Sequence, residues 1–261
     1  MSALKNATKE RLKKGELALG LNISRFRTVE AGRVAATCGY DWAFIDMEHS
    51  ALDLDVAAQL CVACQDAGVT PIVRVAGYEH YHATKLLDAG AMGIIFPHVD
   101  SAELAEKLVK QCKYPPHGHR SVAGAMAQLN FQAMPLAEST KIVNDETMIV
   151  VMVESPLGVK NVEAIAAVPG LDCVLIGTND LCMELGIPGQ LGHADIKDAY
   201  RKVIAACRKH GKYGGLGGVY DDVLAKEYIE MGMRFIIAGS DLSLMMQGAG
   251  SRAKFLRAIP T

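Results

Sequence analysis

Eight short apolar runs, spaced about 20 to 50 residues apart, constrain the fold of this chain more than any other feature. Each run is followed by a segment with helical periodicity, and this alternation is typical of parallel βα units. The runs are apolar without strict alternation, as expected for strands that are covered on both faces. The eight predicted strands are Glu16–Ile23, Asp41–Met47, Pro71–Val75, Gly93–Val99, Met148–Glu154, Cys173–Gly177, Tyr213–Gly217 and Phe235–Gly239.

The length of the chain suits one arrangement of eight such units. Its 261 residues match a (β/α)8 barrel, which commonly runs to about 250 residues as a single unit. A doubly wound open sheet is the alternative, but no GxGxxG motif follows the first predicted strand. We therefore predict an α/β fold, a (β/α)8 TIM barrel that forms a single domain over residues 1–261.

The composition excludes several classes of protein. Half of the residues are hydrophobic and 21% are charged, a balance that rules out a disordered chain. Lys and Arg number 27 against 29 for Asp and Glu, so nucleic acid is not an expected partner. No apolar stretch approaches the ~18 residues of a membrane span, and a membrane is not expected either. Seven scattered cysteines, an odd number, predict free thiols in the cytoplasm.

One segment departs from the regular alternation. Some 35 residues separate the helix that ends near Cys112 from the strand that begins near Met148. Connections of this length inside a compact domain are usually functional or carry small helices of their own. We predict that residues 113–147 form a loop and a helix that cover one mouth of the barrel.

Ionisable residues follow six of the eight predicted strands. In a barrel, the active site is built from the carboxyl-terminal ends of the strands, so these groups should meet at one mouth. The arrangement therefore favours an enzyme. The groups are Asp46, Glu48 and His49 after strand 2, Arg74 on strand 3, His98 and Asp100 after strand 4, Glu154 after strand 5, Asp180 after strand 6 and Asp241 after strand 8.

Glu154 and Asp180 follow neighbouring strands, and apolar residues precede each of them. Buried charges of one sign are costly when unpaired, so a cation between the two carboxylates is one explanation. Two carboxylates leave open positions that suit Mg²⁺ or Mn²⁺ carrying waters and a chelating substrate. The alternative is structural: Asp180 caps a helix and Glu154 forms an ion pair.

A second group of candidates lies on strands 2 and 3. Asp46 and His49 lie one turn apart, where a carboxylate can orient an imidazole and raise its basicity; two unrelated loop residues are the alternative. Arg74 interrupts an apolar run and needs an anionic partner, either a structural carboxylate or a substrate anion. Because no Lys stands at the end of a predicted strand, a Schiff-base mechanism lacks its nucleophile.

Seven short motifs occur in order along the chain: Asp-Met-Glu-His at 46–49, Pro-Ile-Val-Arg at 71–74, Leu-Leu-Asp-Ala-Gly at 86–90, Tyr-Pro-Pro-His-Gly-His-Arg at 114–120, Val-Glu-Ser at 153–155, Pro-Gly-Leu-Asp at 169–172 and Gly-Thr-Asn-Asp-Leu at 177–181. Together they resemble the HpcH/HpaI family of metal-dependent (class II) pyruvate aldolases, typified by hydroxy-oxo-heptanedioate aldolase. The resemblance extends from about Leu12 to Phe255 with matching spacings. It is more specific than any single motif.

The resemblance implies a (β/α)8 barrel, usually assembled as a homohexamer that is built from dimers whose chains exchange their last helix. It also implies a divalent metal ion, Mg²⁺ or Mn²⁺ with Co²⁺ as a further option, held by Glu154 and Asp180. The other implied roles are a general base for His49, oriented by Asp46; a contact to the keto oxygen of pyruvate for Arg74; a carboxylate supplied across a subunit interface for Asp88; and backbone contacts to the substrate carboxylate for Gly177, Thr178 and Asn179.

Three features of the sequence depart from the family pattern. Met152 stands where many members carry Gln, which puts one polar contact to the substrate in doubt. The usual Gly-Pro-Ala-Asp reads Gly-Thr-Asn-Asp at 177–180. His98, a candidate substrate-binding residue, makes its surroundings more similar to the macrophomate-synthase branch of the family, in which oxaloacetate is decarboxylated to the same enolate. The acceptor aldehyde can therefore differ from the typical one.

The resemblance implies cleavage of a 2-oxo-4-hydroxy acid into pyruvate and an aldehyde through a metal-stabilised pyruvate enolate. An oxaloacetate decarboxylase or a related carbon–carbon lyase is the alternative on the same site. A citrate-lyase-like CoA-ester lyase would need an extended basic surface that the sequence does not show, and a ligand sensor would bind pyruvate or metal without turnover. Residues 113–147 and a neighbouring subunit are expected to shape the aldehyde pocket.

Overall fold

The protein is a closed barrel of eight parallel strands that pair in the order of the sequence, in a computed structural model that describes residues 4–260. The predicted fold class, a (β/α)8 TIM barrel, is confirmed. The strands are β1 (Ala18–Ile23), β2 (Trp42–Asp46), β3 (Thr70–Arg74), β4 (Gly93–Phe96), β5 (Met148–Val153), β6 (Cys173–Gly177), β7 (Tyr213–Gly217) and β8 (Phe235–Ser240).

All eight apolar runs form strands, and most of their ends differ from the prediction by two residues or fewer. The exception is the run Gly93–Val99, whose strand β4 already ends at Phe96. Pro97 has no N–H to donate to the sheet, and His98 adopts a left-handed conformation with φ of 52°. The chain therefore leaves the sheet early and brings His98 beside the end of β5.

Helices surround the barrel and alternate with its strands. The α-helices are α1 (Ala7–Lys13), α2 (Glu30–Thr37), α3 (Leu54–Asp66), α4 (His80–Asp88), α5 (Ala102–Cys112), α6 (Leu136–Glu146), α7 (Pro156–Lys160), α8 (Val162–Ala166), α9 (Thr178–Glu184), α10 (Ala194–Lys209), α11 (Asp222–Met231) and α12 (Asp241–Arg257), with a 3-10 turn at Ala127–Leu129.

Short polar side chains fix where several of these helices begin. Ser155 caps α7 with Pro156 at its first position, and Ser240 caps α12. Before α5, Asp100 and Ser101 are both suitable capping residues, but Asp100 is not the cap. Ser101 accepts the capping hydrogen bond instead, while Asp100 accepts the hydroxyl of Ser155 at 2.6 Å.

The interior of the barrel is packed with large side chains from alternate strand positions. The indole of Trp42 stacks on Phe235 with ring centroids 3.9 Å apart and donates its N–H to the carbonyl of Ala18 over 3.1 Å. Gly20 makes room for this ring, because a Cβ at position 20 would lie 2.6 Å from the indole Cδ2. The packed interior supports the strand ends that form the mouths of the barrel.

Helix α1 lies against the amino-terminal end of the barrel and is fixed there by Asn6. This buried side chain accepts the N–H of Lys9 at 3.1 Å and so caps the helix. It also donates to the carbonyls of Met92 and Glu146, at 3.2 and 2.9 Å. One amide thus joins the helix to the entrances of β4 and β5.

Residues 113–147 also lie at the amino-terminal end of the barrel. The segment runs from the end of α5 to the beginning of β5, and both of these points lie at that end. The ammonium of Lys113 holds it together by donating to the carbonyls of Asn144 and Thr147, at 2.6 and 2.7 Å. Within one chain this segment does not line the cavity described below, which lies at the other end, and a role for it in the pocket of a neighbouring subunit stays a prediction.

Helix α12 carries several apolar side chains on its surface. Five of them are between 40% and 63% exposed: Leu244, Met245, Met246, Phe255 and Leu256. An exposed apolar face of this kind is typical of a contact surface. Among residues 4–260, no helix combines the length and the apolar character that crossing a membrane requires.

Candidate active site

A cavity of about 310 Å³ opens at the carboxyl-terminal mouth of the barrel. Barrel enzymes place their active sites at this end. Nine of the ten residues assigned a site role from the sequence lie on β2 to β6 or the turns that follow them, and Asp88 is the other. Those that line the cavity are Asp46, His49, Arg74, Glu154, Gly177, Thr178, Asn179 and Asp180.

Arg74, at the end of β3, is buried and engages two carboxylates. Its Nε and Nη2 donate to the two oxygens of Asp46, at 3.0 and 2.8 Å, in a bidentate pair. Its Nη1 lies 2.9 Å from Glu48 Oε2. Burial alone would lower the pKa of Arg74, but the hydrogen bonds and charges of Asp46 and Glu48 outweigh it and raise that pKa. The guanidinium is therefore charged and held in one orientation.

The expected pairing of the Asp46 and His49 side chains is not formed. The carboxylate of Asp46 is occupied by Arg74, and it also accepts the backbone N–H groups of Glu48 and His49, at 3.0 and 3.2 Å. The imidazole of His49 is 64% exposed, with its Nε2 3.9 Å from Glu48 Oε2. Asp46 and His49 thus belong to one turn, in which the Asp46 carboxylate accepts backbone N–H groups.

Glu154, directly after β5, is a buried carboxylate with 2% of its surface exposed. Its Oε2 accepts the backbone N–H of His98 at 2.8 Å. Gly177 makes room for it, because a Cβ there would overlap Oε1 and lie 2.7 Å from Cγ. Burial raises the pKa of Glu154 and the charge of Asp180 raises it further, against the opposing effects of His98 and Arg74.

His98 lies between two acidic residues at the mouth. Its Nδ1 is 3.3 Å from Glu154 Oε2, and its Nε2 is 3.5 Å from Glu48 Oε1. The left-handed backbone of His98, with φ of 52°, is unfavourable for a residue other than glycine. This conformation allows the backbone N–H and the imidazole of one residue to reach the same carboxylate.

Helix α9 begins at the end of β6 and contributes Asp180 from its first turn. The buried hydroxyl of Thr178 fixes this beginning, because it donates to the carbonyl of Gly217 at 2.7 Å and lies 2.7 Å from the hydroxyl of Tyr200. Asn179 donates its amide to the carbonyl of Gly218 at 3.3 Å. The turn between β6 and α9 is thus tied to the end of β7.

The charges at this mouth fit a divalent cation. Among the described residues that line the cavity, Arg74 carries the one guanidinium, and Asp46 and Glu48 already pair with it. Glu154 and Asp180 remain, and carboxylate oxygens are the preferred ligands of Mg²⁺ and Mn²⁺. Residues 4–260 contain no group of three or more His, Cys, Asp or Glu side chains arranged around a metal. A cation here would therefore keep most of its positions for water and substrate.

Asp88 does not reach the cavity of its own chain. It ends helix α4, and the helices of a barrel end at the amino-terminal side, away from the mouth. Its Oδ1 accepts from Arg120 Nη2 at 2.6 Å, and the Arg120 guanidinium lies 4.6 Å from the centre of the Tyr114 ring. A role for Asp88 across a subunit interface stays a prediction.

Two residues of the site received no role from the sequence. Glu48 lies between Arg74 and His98, and its charge within the motif Asp46–His49 was the available signal. Asn22 lines the cavity at the end of β1. A lone polar residue in the apolar run Leu19–Ile23 is the same kind of signal that singled out Arg74.

Comparison with known proteins agrees with this fold. A family model described as HpcH/HpaI aldolase/citrate lyase matches residues 29–248. A 4-hydroxy-4-methyl-2-oxoglutarate aldolase of Hapsidospora irregularis is 36% identical over 95% of this chain and 94% of its own. A hydroxypyruvate/pyruvate aldolase of Paraburkholderia phytofirmans is 35% identical, over 95% and 96%.

Among solved structures, the crystal structure of an HpcH/HpaI aldolase from Desulfitobacterium hafniense DCB-2 superposes with a TM-score of 0.92. It is 30% identical, and the match covers 97% of each chain. The family model covers most of this chain, and the likeness extends from its sequence to its barrel. This chain belongs to the HpcH/HpaI aldolase/citrate lyase family.

Proposed function

We propose that this protein is a class II aldolase that cleaves 2-oxo-4-hydroxy acids into pyruvate and an aldehyde. The observation that carries the proposal is one cavity in which a carboxylate pair suited to a cation, Glu154 and Asp180, lies with Arg74 and His49. The names of the two aldolase relatives support the same class of reaction. Family membership supports it as well.

The reaction balances without an oxidant or a reductant. The substrate R–CH(OH)–CH2–CO–COO⁻ loses the proton of its C4 hydroxyl to a base, and the electrons of that O–H bond form the aldehyde carbonyl. The C3–C4 bond breaks, and its electron pair moves towards the C2 oxygen to give an enolate. A proton returned to C3 gives pyruvate.

Two side chains supply the proton transfer and the positive charge. His49 is the proposed base, because its imidazole lines the cavity and is accessible to a hydroxyl or an intervening water. Arg74 stabilises the negative charge that develops on the enolate oxygen. Asp46 and Glu48 act through Arg74, since they hold its guanidinium in one orientation.

Other residues bind the substrate carboxylate. Backbone N–H groups around Gly177, Thr178 and Asn179 are the proposed donors, at the beginning of a helix where anions are favoured. His98 is a further substrate contact beside Glu154.

Glu154 and Asp180 are the proposed ligands of a divalent metal ion, Mg²⁺ or Mn²⁺, with Co²⁺ as a further option. The ion, when bound, polarises the keto group and offsets the charge of the enolate. Glu154 suits this role because it is buried and is oriented by the N–H of His98, and because burial and the charge of Asp180 raise its pKa, an effect that a bound cation would offset.

The assembly proposed for this chain is a homohexamer built from dimers whose chains exchange helix α12. The exposed apolar residues of α12 support the exchange, because a partner chain would cover them. In such an assembly Asp88 of one chain could serve the site of another. Free thiols at all seven cysteines agree with a cytoplasmic location.

The test is a panel of 2-oxo-4-hydroxy acids together with oxaloacetate, each scored for release of pyruvate with and without metal. Excess chelator should abolish turnover, and added Mg²⁺ or Mn²⁺ should restore it. Full activity in excess chelator would contradict the class II mechanism. Release of CO2 from oxaloacetate with no cleavage of any hydroxy acid would favour a decarboxylase instead.

A further inference from the structure

The cavity at the carboxyl-terminal mouth has two unlike walls. Strands β2, β3, β5 and β6 supply the charged groups, whereas β1, β7, β8 and the turns after them supply neutral ones. We call the second set the neutral wall, formed by Asn22, Ser24, Tyr220, Ser240 and Leu242. Because β1 and β5 stand opposite each other in an eight-stranded barrel, Asn22 and Glu154 belong to opposite walls.

Asn22 has an unpaired polar atom within the neutral wall. Its Oδ1 is buried and has no hydrogen-bond partner among residues 4–260, which is unfavourable unless a ligand supplies one. The two serine hydroxyls of the neutral wall are already engaged. Ser24 donates to Asp241 Oδ1 at 3.1 Å, and Ser240 Oγ lies 2.9 Å from Ser243 Oγ.

The backbone around Asn22 is fixed, as a specific binding site requires. Asp241 Oδ2 accepts three consecutive backbone N–H groups, from residues 24–26, at 3.0, 2.7 and 2.8 Å. On the other side, the pairing of β1 with β8 shifts its register between Gly20 and Asn22. Irregularities of this kind re-aim side chains beside active sites.

We propose that Asn22 binds the hydroxyl group of the acceptor aldehyde, so that the enzyme is selective for neutral hydroxyaldehydes such as glycolaldehyde. The inference rests on the proposed aldolase function and names the substrate class of the same cavity. A hydroxyl can donate to Oδ1 and can also accept from the amide N–H. It can therefore hydrogen-bond to Asn22 in either orientation of the side-chain amide.

The other classes of acceptor fit this wall less well. An aldehyde with an apolar end would leave the buried Oδ1 of Asn22 unpaired. An anionic acceptor, such as a second oxo acid, needs a cation. Among the described residues lining the cavity only Arg74 is a Lys or Arg, and it already pairs with Asp46 and Glu48.

The test is the condensation of pyruvate with glycolaldehyde, acetaldehyde or glyoxylate, measured as kcat/KM for each aldehyde. We expect the wild-type enzyme to prefer glycolaldehyde to acetaldehyde at least about tenfold, and Asn22→Leu to remove most of that preference. Glyoxylate should be the poorest of the three. An unchanged preference in Asn22→Leu, or a wild-type preference for glyoxylate, would overturn the proposal.

Exchange of the pyruvate methyl protons in D2O separates this inference from the proposed function. Exchange requires the enolate but no aldehyde, so a wild-type enzyme without it would contradict the aldolase function itself. Normal exchange in Asn22→Leu shows that the variant is folded, and Asn22→Ala is the second variant if it is not. If Asn22→Leu alters only the choice between hydroxypyruvate and pyruvate as donors, the amide serves the donor and the proposal is wrong.

Asn161 offers a matched control for the same substitution. Its amide donates to the carbonyl of Asp100 at 2.7 Å, away from the lining of the cavity. We expect Asn161→Leu to keep the wild-type preference for glycolaldehyde. Loss of that preference in both variants would show a general effect of the substitution and would count against a specific contact at Asn22.

Discussion

Two of the buried polar side chains at each end of the barrel differ in how fully their own chain satisfies them. At the amino-terminal end, the amide of Asn6 caps a helix and joins two carbonyls, and the ammonium of Lys113 donates to two more. At the carboxyl-terminal end, Glu154 is buried with a raised pKa, and Asn22 Oδ1 has no partner among the described residues.

This difference separates stability from function. Polar groups that are satisfied by their own chain stabilise the fold, whereas groups left unsatisfied cost free energy until a ligand binds them. Barrels place stabilising residues at the amino-terminal face and reactive ones at the other. We therefore expect substitutions at the mouth to change activity far more than stability, and substitutions at the opposite end to do the reverse.

Among the substitutions that test this difference between the two ends, Glu154→Gln should have the largest effect. We expect kcat/KM for pyruvate release to fall at least about a thousandfold, near 4 kcal/mol, because a neutral amide is a poor ligand for the cation. The free energy of unfolding should not fall, since the buried charge is removed and an oxygen remains for the N–H of His98. Urea unfolding checks the second expectation, and a large loss of stability would count against it.

Arg74→Lys should have the next largest effect. A lysine ammonium cannot form the bidentate pair with Asp46 and reach Glu48 together, so its position relative to the enolate oxygen is lost. We expect a loss of roughly 3 to 4 kcal/mol in transition-state stabilisation, measured as kcat/KM. Proton exchange of pyruvate near the wild-type rate would contradict the assignment of Arg74.

Lys113 tests the other end through the pH dependence of stability. Burial lowers the pKa of Lys113 to about 8, so between that pH and the ordinary value of 10.5 the unfolded chain binds more protons than the folded one. The free energy of unfolding of the wild type, relative to that of Lys113→Met, should therefore rise by roughly 3 kcal/mol as the pH increases through this window. Below the window the difference between the two proteins should be constant. Urea unfolding of both proteins at a series of pH values measures this difference in stability. A difference that does not change with pH would contradict the lowered pKa of Lys113.

The smallest effect is expected from Asn6→Ala. The substitution removes a helix cap and leaves two carbonyls without a donor, which should lower the free energy of unfolding by about 1 to 2 kcal/mol. Activity per folded molecule should be unchanged, because Asn6 lies at the end opposite the cavity. A drop in kcat without a drop in stability would contradict the expectation that residues at the amino-terminal end affect stability and leave activity unchanged.

The fold was predictable from the chain because its signals are local. Apolar runs such as Met148–Glu154 become strands almost residue for residue, and caps such as Ser155 with Pro156 mark helix starts. Before α5, Asp100 and Ser101 are both good caps, and Ser101 caps the helix because a contact distant in sequence engages Asp100 with Ser155. Local spacing cannot choose between two neighbouring caps.

The candidate site was predictable as a set of residues but not as a set of pairs. Strand ends identified Arg74 and Glu154, while the partner of Asp46 was expected on its own turn. In the structure that partner is Arg74, 28 residues away, and the neighbouring strand supplies it. Asn22 was missed because an unpaired atom is visible only when everything that surrounds it is known.

The sequence by itself determined the eight βα units, their order and the mouth at which the charged residues gather. These follow from apolar periodicity and from the rule that parallel strands end at the same side of a barrel. Only the tertiary structure decided which carboxylates pair with Arg74, that residues 113–147 lie at the far end, and that one wall of the cavity is neutral. The physical reason is that pairing and burial depend on distances between strands that are far apart along the chain.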